Sequence, residues 1–245
     1  SGFALSITSQ HRAQTLLRIR SNWLKFFFYF FPEKFKINVM RDILKSKSEE
    51  KPLPIDQHIA DIQSAIEQFS ATILIAPTGA GKSTRLPARL HAEKRIVIVQ
   101  PRRAAARMVA NRIAENAGEK VGGKIGYHIR FEKCFGPRSK IIVLTEGMLL
   151  RWLQSNPFLD DISLIILDEF HERSVEMDLC LGLIHEIQNE IRNDLKLLVM
   201  SATLDPKPLE KWFGKETPVI VSKGKIYPVE IVHDKQQDDR SLANK

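Results

Sequence analysis

Apolar and polar positions alternate in blocks along this chain. Five short runs rich in Val, Ile and Leu stand at residues 72–76 (TILIA), 95–100 (RIVIVQ), 140–145 (KIIVLT), 163–168 (SLIILD) and 196–201 (KLLVMS). Each is apolar at successive rather than alternate positions, the pattern of strands buried on both faces. Segments with helical periodicity lie between most of them, at 102–117, 146–154 and 177–193, and an amphipathic helix over Asp56 to Phe69 precedes the first, with Ile59, Ile62, Ile66 and Phe69 on one side. Strands apolar on both faces, alternating with helices, predict an α/β fold with a mostly parallel sheet and helices on both faces.

Residues 1–54 differ from the rest of the chain and read as an N-terminal extension and linker. The run from Phe26 to Phe31 is bounded by Lys25, Pro32 and Glu33 and is far shorter than the ~20 residues needed to span a bilayer, so no stable membrane insertion is expected. Three readings stay open for the first 39 residues: a helical hairpin packed on the domain, a basic membrane-surface segment, or sequence translated ahead of a start at Met40. The polar KSKSEEKPLP at 45–54 reads as a linker.

The chain has 245 residues, 43% of them hydrophobic and 27% charged, which places it in the globular class. Its net charge of +8 points less strongly to nucleic acid than it first suggests. Residues 1–39 carry six Lys and Arg against one acid, Glu33, which accounts for five of the eight charges. Cys134 and Cys180 stand far apart, with no CxxC or His-rich setting, and suggest neither a disulfide framework nor a zinc site. A reduced, cytoplasmic compartment is the default expectation.

Candidate chemistry begins directly after the first strand, at Ala76–Thr84 (APTGAGKST). Gly79 and Gly81 allow the loop of Pro77, Thr78, Gly79, Ala80 and Gly81 to curl so that the N–H groups that follow Pro77 face phosphate oxygens. Lys82 brings a point charge to the β- and γ-phosphates, Ser83 offers a hydroxyl to Mg²⁺, and Thr84 leads into a helix whose positive end faces the anion. ATP and Mg²⁺ are the expected ligands. At the end of the run 163–168, Asp168 has the position of a second magnesium ligand, and Glu169 stands where it polarises the water attacking the γ-phosphate.

The box DEFH at 168–171 resembles the DEAH box of superfamily 2 helicases, and the order of the other motifs agrees. APTGAGKST looks like motif I, QPRRAAA (100–106) like motif Ia, TEGMLL (145–150) like motif Ib, and SAT (201–203) like motif III. DEFHERSVEMDLCLGL is most similar to the bacterial HrpB-type branch. The resemblance covers roughly residues 55–232 and implies the first, ATP-binding, RecA-like P-loop NTPase lobe of an ATP-dependent RNA helicase, occupying residues 55–225.

The resemblance implies further roles. Arg102 and Arg103 would hold phosphates of a single RNA strand, with solvated surface charge as the alternative. Thr145 and Glu146 would contact the same strand, although Thr145 is equally suited to capping a helix. Arg112 matches an arginine that stacks on adenine, and surface charge accounts for it as well. His171 would link the nucleotide site to a second lobe, and Ser201, Ala202 and Thr203 would relay ATP state to strand movement. RNA is the expected partner, and DNA stays open.

The departure from the family lies toward Lys245. Residues 226–245, with YPVEIVH, resemble a linker strand leading to a second RecA-like lobe, and nothing like QRxGRxGR is present. An arginine finger from such a lobe is worth ~10³–10⁵ in rate. The chain alone is therefore expected to hydrolyse ATP slowly, as an excised first lobe or a truncated product. The competing expectation is a nucleotide-dependent nucleic-acid-binding module without turnover. A small-molecule P-loop kinase is the weaker alternative, since it gives the arginine pair and motif III no purpose.

Overall fold

The structure, a computed structural model, describes residues 52–223. The expectations for residues 1–51 and for the linker strand at 226–245 lie outside the described residues.

Leu53 leads into a single 3-10 turn, Pro54–His58, followed by α1 (Ile59–Gln68). The chain then runs through β1 (Ala71–Ile75), α2 (Arg85–Arg89), β2 (Arg95–Gln100), α3 (Arg103–Asn116), β3 (Ile125–Ile129), β4 (Glu132–Cys134) and β5 (Ile141–Thr145). It continues with α4 (Glu146–Ser155), β6 (Ile162–Leu167), α5 (Val175–Glu190), β7 (Lys196–Ser201), α6 (Lys207–Phe213) and β8 (Val219–Val221). The eight strands form one sheet in the order β4-β3-β5-β2-β6-β7-β1-β8, parallel except for the β3–β4 hairpin. The predicted α/β, mostly parallel architecture is the observed one.

Successive side chains of each strand enter different cores, because Cβ atoms alternate across a sheet. Ile73, Val97, Val99, Leu144, Ile165, Leu167 and Val199 pack with α4, α5 and α6. Leu74, Ile96, Ile98, Val143, Leu164, Ile166, Leu198 and Met200 pack with α1, α2 and α3. This two-sided burial is why the strands read as unbroken apolar runs.

Three strands lacked that signature. β3 (IGYHI) is interrupted by Gly126 and His128, while β4 and β8 have only three residues each. Two helices also differ from expectation. The segment expected to be helical from Asp56 splits, with regular α-helix beginning only at Ile59, and Phe69 lies past its end in extended backbone. The helix after the P-loop is a short one of five residues.

Because the strands run parallel, the loop that follows β1 and the polar residues at the ends of β2, β5, β6 and β7 come together at one end of the sheet. That end carries the candidate site.

Candidate nucleotide and nucleic-acid site

The P-loop leaves β1 at Ala76, whose N–H donates to the Ser201 carbonyl at 2.9 Å. Gly79 and Gly81 have φ of +80° and +96°, backbone that residues with a Cβ avoid. At Gly81 a Cβ would also come within 2.8 Å of Leu53 Cδ1 and 3.0 Å of Ile55 Cγ2. The 3-10 turn is strapped to the loop there, with Ile55 N–H donating to the Ala80 carbonyl at 3.1 Å and Arg85 pairing with Asp56 at 3.3 Å. Thus Gly81 is needed for backbone shape and for close approach together.

Lys82 is 3% exposed, and its Nζ lies 2.9 Å from Glu169 Oε1. Asp168, fully buried, directly follows β6; its Oδ2 accepts from Gln100 Nε2 at 2.6 Å and its Oδ1 from the Glu169 N–H at 2.9 Å. Burial pushes its carboxyl above the usual carboxylate range, against the opposing pull of a hydrogen bond with Ser83, the nearby charge of Lys82 and the Gln100 bond. Ser83 of the P-loop and Asp168 of β6 therefore share one small polar pocket beside Lys82.

Glu169 adopts left-handed backbone, φ 53° and ψ 37°, and so does Arg173 at φ 47°. Such conformations are uncommon for residues with a Cβ and persist where the surroundings hold them. Here Phe170, fully buried in the core beneath, anchors the turn between them. The Arg173 guanidinium lies 5.4 Å from the Phe170 ring and pairs with Asp178 at 2.9 Å.

His171 stands between two motifs. Its Nδ1 lies 3.5 Å from Glu169 Oε2 and 3.5 Å from the Ala202 nitrogen. One nitrogen serves one of these at a time: with a lone pair it accepts from Ala202, with a proton it donates to Glu169. Ser201, fully buried, accepts the N–H groups of Thr203 and Leu204 at 3.3 and 3.1 Å and so shapes the SAT turn.

Residues expected at the nucleic acid divide into two groups. Arg102 (73% exposed) and Arg103 reach into solvent at the start of α3, with Arg102 paired to Glu172 at 3.1 Å. Thr145 begins α4 without a capping bond from its side chain. Glu146 goes inward instead: its carboxylate accepts from the Ser174 hydroxyl at 2.7 Å, and that hydroxyl accepts the Met177 N–H that starts α5. Burial raises the Glu146 pKa. Glu146 thus joins two helix starts and presents no surface for an anionic strand. Arg112 is exposed on α3 and pairs with Glu115 at 3.3 Å, one turn beyond Met108. Met108 lies in an open groove, with Ala105 and Val109, that reaches Ser83 and Glu169.

Two residues at this end of the sheet escaped the sequence reading. Gln100 could have been found as a polar residue ending an apolar strand, the signature that marked Asp168. Phe131, 89% exposed at φ 70°, tips the β3–β4 hairpin, with the Arg130 guanidinium 4.7 Å from its ring. An aromatic so exposed, on backbone that suits glycine better, is not explained by packing.

The donor set fits a magnesium ion. Ser83 and Asp168 offer hard oxygens, and among the described residues no cluster of three or more His, Cys, Asp and Glu forms an all-protein cage. Magnesium is characteristically held by one or two carboxylates plus substrate phosphates and water.

The sequence profile of DEAD/DEAH box helicases matches residues 57–212. The chain is 46% identical over 182 residues to the ATP-dependent RNA helicase HrpB of Escherichia coli, and 38% identical over 205 residues to the probable ATP-dependent RNA helicase DHR2 of Saccharomyces cerevisiae. These alignments cover 73% and 81% of this chain but only 22% and 27% of the relatives, so it spans about a quarter of their length. Crystal structures of Escherichia coli HrpB, described as a DEAH/RHA helicase and as a DExH-box NTPase, superpose with TM-scores of 0.69 and 0.70 at 46% and 45% identity. They cover 73% and 74% of this chain and 23% of each solved chain.

Proposed function

The chain belongs to the DEAD/DEAH box helicase family, and on that premise we propose that residues 55–225 are the ATP-binding RecA-like lobe of an RNA helicase acting in the bacterial cytoplasm. The observation that carries this reading is the meeting of Lys82 and Glu169 at 2.9 Å beside Asp168 and Ser83. A phosphate-binding cation, a base and a pair of oxygen donors stand within one hydrogen-bonded pocket at the sheet end.

The geometry supports the following roles. The backbone of Pro77, Thr78, Gly79, Ala80 and Gly81 cradles the phosphates, Lys82 binds the terminal ones, and Thr84 closes the loop. Ser83 and Asp168 would hold Mg²⁺, which when bound would offset the negative charge of the phosphates. Gln100 orients Asp168. Glu169 accepts a proton from the attacking water once Lys82 turns to phosphate. The open groove along α3 leads the nucleoside toward Arg112, where the guanidinium stacks on the base.

Strand contacts come from the same end of the sheet. Arg102 and Arg103 hold phosphates without reading sequence, Thr145 offers its hydroxyl, and the Arg130–Phe131 tip adds a stacking surface. His171 couples the sites through its single Nδ1, which answers to Glu169 or to Ala202 of the Ser201–Thr203 turn. Glu146 serves by fixing the start of α4, directly behind Thr145.

The test combines two ligands. Titration with ATP and with a fluorescent single-stranded RNA should give saturable binding to the chain, with ATP binding lost in Lys82→Ala while RNA binding persists. A chain that binds neither ligand sinks the reading.

A further inference from the structure

Behind the hairpin tip lies a face that takes no part in the nucleotide pocket or in the strand contacts of Arg102, Arg103 and Thr145. His128 and Lys133 are register partners across β3 and β4, so their side chains share one side of the hairpin. On that side Lys133 Nζ lies 4.6 Å from the Phe135 ring. His128, Phe135 and Trp152 pack with ring centroids 5.6 to 5.8 Å apart, and the Trp152 indole N–H donates to His128 Nδ1 at 3.1 Å. Arg151, next to Trp152 on α4, and Lys133 are both exposed.

The charges that act on His128 from this side are both positive. Burial lowers the His128 pKa, and the charges of Lys133 and Arg151 lower it further. The acid of the hairpin, Glu132, engages a different set of groups, its carboxylate accepting from the Tyr127 hydroxyl and from the Arg107 guanidinium of α3. Since Tyr127 and His128 are consecutive on a strand, the acid is held on the opposite face from the two cations.

We propose that Lys133 and Arg151, over the His128–Phe135–Trp152 cluster, form a second contact for single-stranded RNA. β3 neighbours β5, and β5 neighbours β2. A strand laid from Arg102 and Arg103 past Thr145 therefore crosses to the hairpin within two strand spacings, about 10 Å, and meets this face next. Cations beside aromatic rings, with the acid of the hairpin on the other face, suit a phosphate backbone with unstacked bases. The proposal rests on the RNA-binding reading and extends its path to the sheet edge.

The experiment measures anisotropy of a fluorescent single-stranded RNA with the full chain from 50 to 200 mM salt. Controls are Arg102→Ala with Arg103→Ala, and the tested pair is Lys133→Gln with Arg151→Gln, chosen because both side chains are exposed. At roughly 0.7 of log–log slope per cation on a single strand, the tested pair should lower the salt slope by about 1.4. The wild-type advantage would then shrink about sevenfold across that salt range. An unchanged slope and affinity, with thermal stability intact and the Arg102/Arg103 control weakened, overturns the second contact while leaving the first. An unfolded variant is replaced by the single Lys133→Gln, for which about half the slope change is expected and none overturns the proposal. Wild-type chain that does not bind RNA removes the underlying reading itself. Equal loss of binding to an acidic peptide, with RNA unaffected, overturns the assignment in favour of a protein partner.

Discussion

Lys82 Nζ and Glu169 Oε1 are joined at 2.9 Å, so the buried cation and the carboxylate proposed as base hold each other. Lys82 is almost fully buried, and an incoming phosphate must draw it away from Glu169. Substituting Glu169→Gln weakens that competition. A charge-assisted bond of this kind contributes roughly 1.5 kcal/mol, so ADP should bind about tenfold more tightly to the variant while ATP turnover falls. Calorimetric titration with ADP separates this from slower hydrolysis, and equal affinity refutes the competition.

The two P-loop glycines should differ in their tolerance of a methyl group. Both have positive φ, but the Gly79 Cβ position is open whereas that of Gly81 meets Leu53 and Ile55. Gly79→Ala should cost about 1 kcal/mol in stability, from its backbone alone. Gly81→Ala should cost about 2–4 kcal/mol, adding displacement of the 53–55 strap. Urea midpoints compare the two, and equal losses would refute the strap's part in the difference.

Arg192 fastens the base of the sheet. It is 8% exposed, and its guanidinium donates to the carbonyls of Phe158, Leu159 and Ile162 at 2.6 to 3.0 Å and to Asp194 at 2.7 Å. Arg192→Ala strips these carbonyls of their donor and should destabilise by about 2–4 kcal/mol, a fall of roughly 5–15 °C in Tm. Lysine should rescue little, because one ammonium cannot reproduce the planar fork. Thermal unfolding of both variants is the check.

His128 gives the stability a pH dependence. Its folded pKa is lowered, chiefly by burial, so the unfolded chain binds the proton more readily. This contribution is complete above the ordinary histidine value near ~6.5 and is lost as pH falls from there toward the lowered folded value. Protonation also opposes Nδ1 acceptance of the Trp152 N–H. Unfolding midpoints from pH 7.5 down to 5.5 should decline in the wild type and decline less in His128→Gln; identical profiles would count against the assignment.

The sequence showed most of the frame because the interior strands are buried on both faces. β1, β2, β5, β6 and β7 were each visible as apolar runs, and the polar end of the fourth marked Asp168, while Thr145 and Ser201 were singled out by their resemblance to helicase motifs. The edge strands were not visible: β4 and β8 have three residues each, and β3 contains Gly126 and His128 where an apolar pair would have announced it. The meeting of Lys82, Ser83, Asp168 and Glu169 in one pocket was legible because phosphate chemistry restricts both residue type and spacing. Glu146 was misleading, since a carboxylate at a strand–helix junction reads the same on paper whether it faces solvent or Ser174. The Tyr127–Glu132–Arg107 network and the hold of Arg192 join residues whose contact depends on tertiary approach, for which no local pattern exists.

The position of β1 has a consequence for how the molecule is made. Ala71 pairs with Leu197 and Ile73 with Val219, so both neighbours of the P-loop strand emerge from the ribosome long after it. At ~5–20 residues per second, the strand waits on the order of ten seconds for its first partner. The pairs β2–β5 and β2–β6 are available earlier, and the growing sheet closes onto β1 last. Nascent chains halted between β6 and β7 should therefore leave TILIA open to chaperones and to other chains, and nucleotide should begin to protect them only after residue 201 has left the exit tunnel.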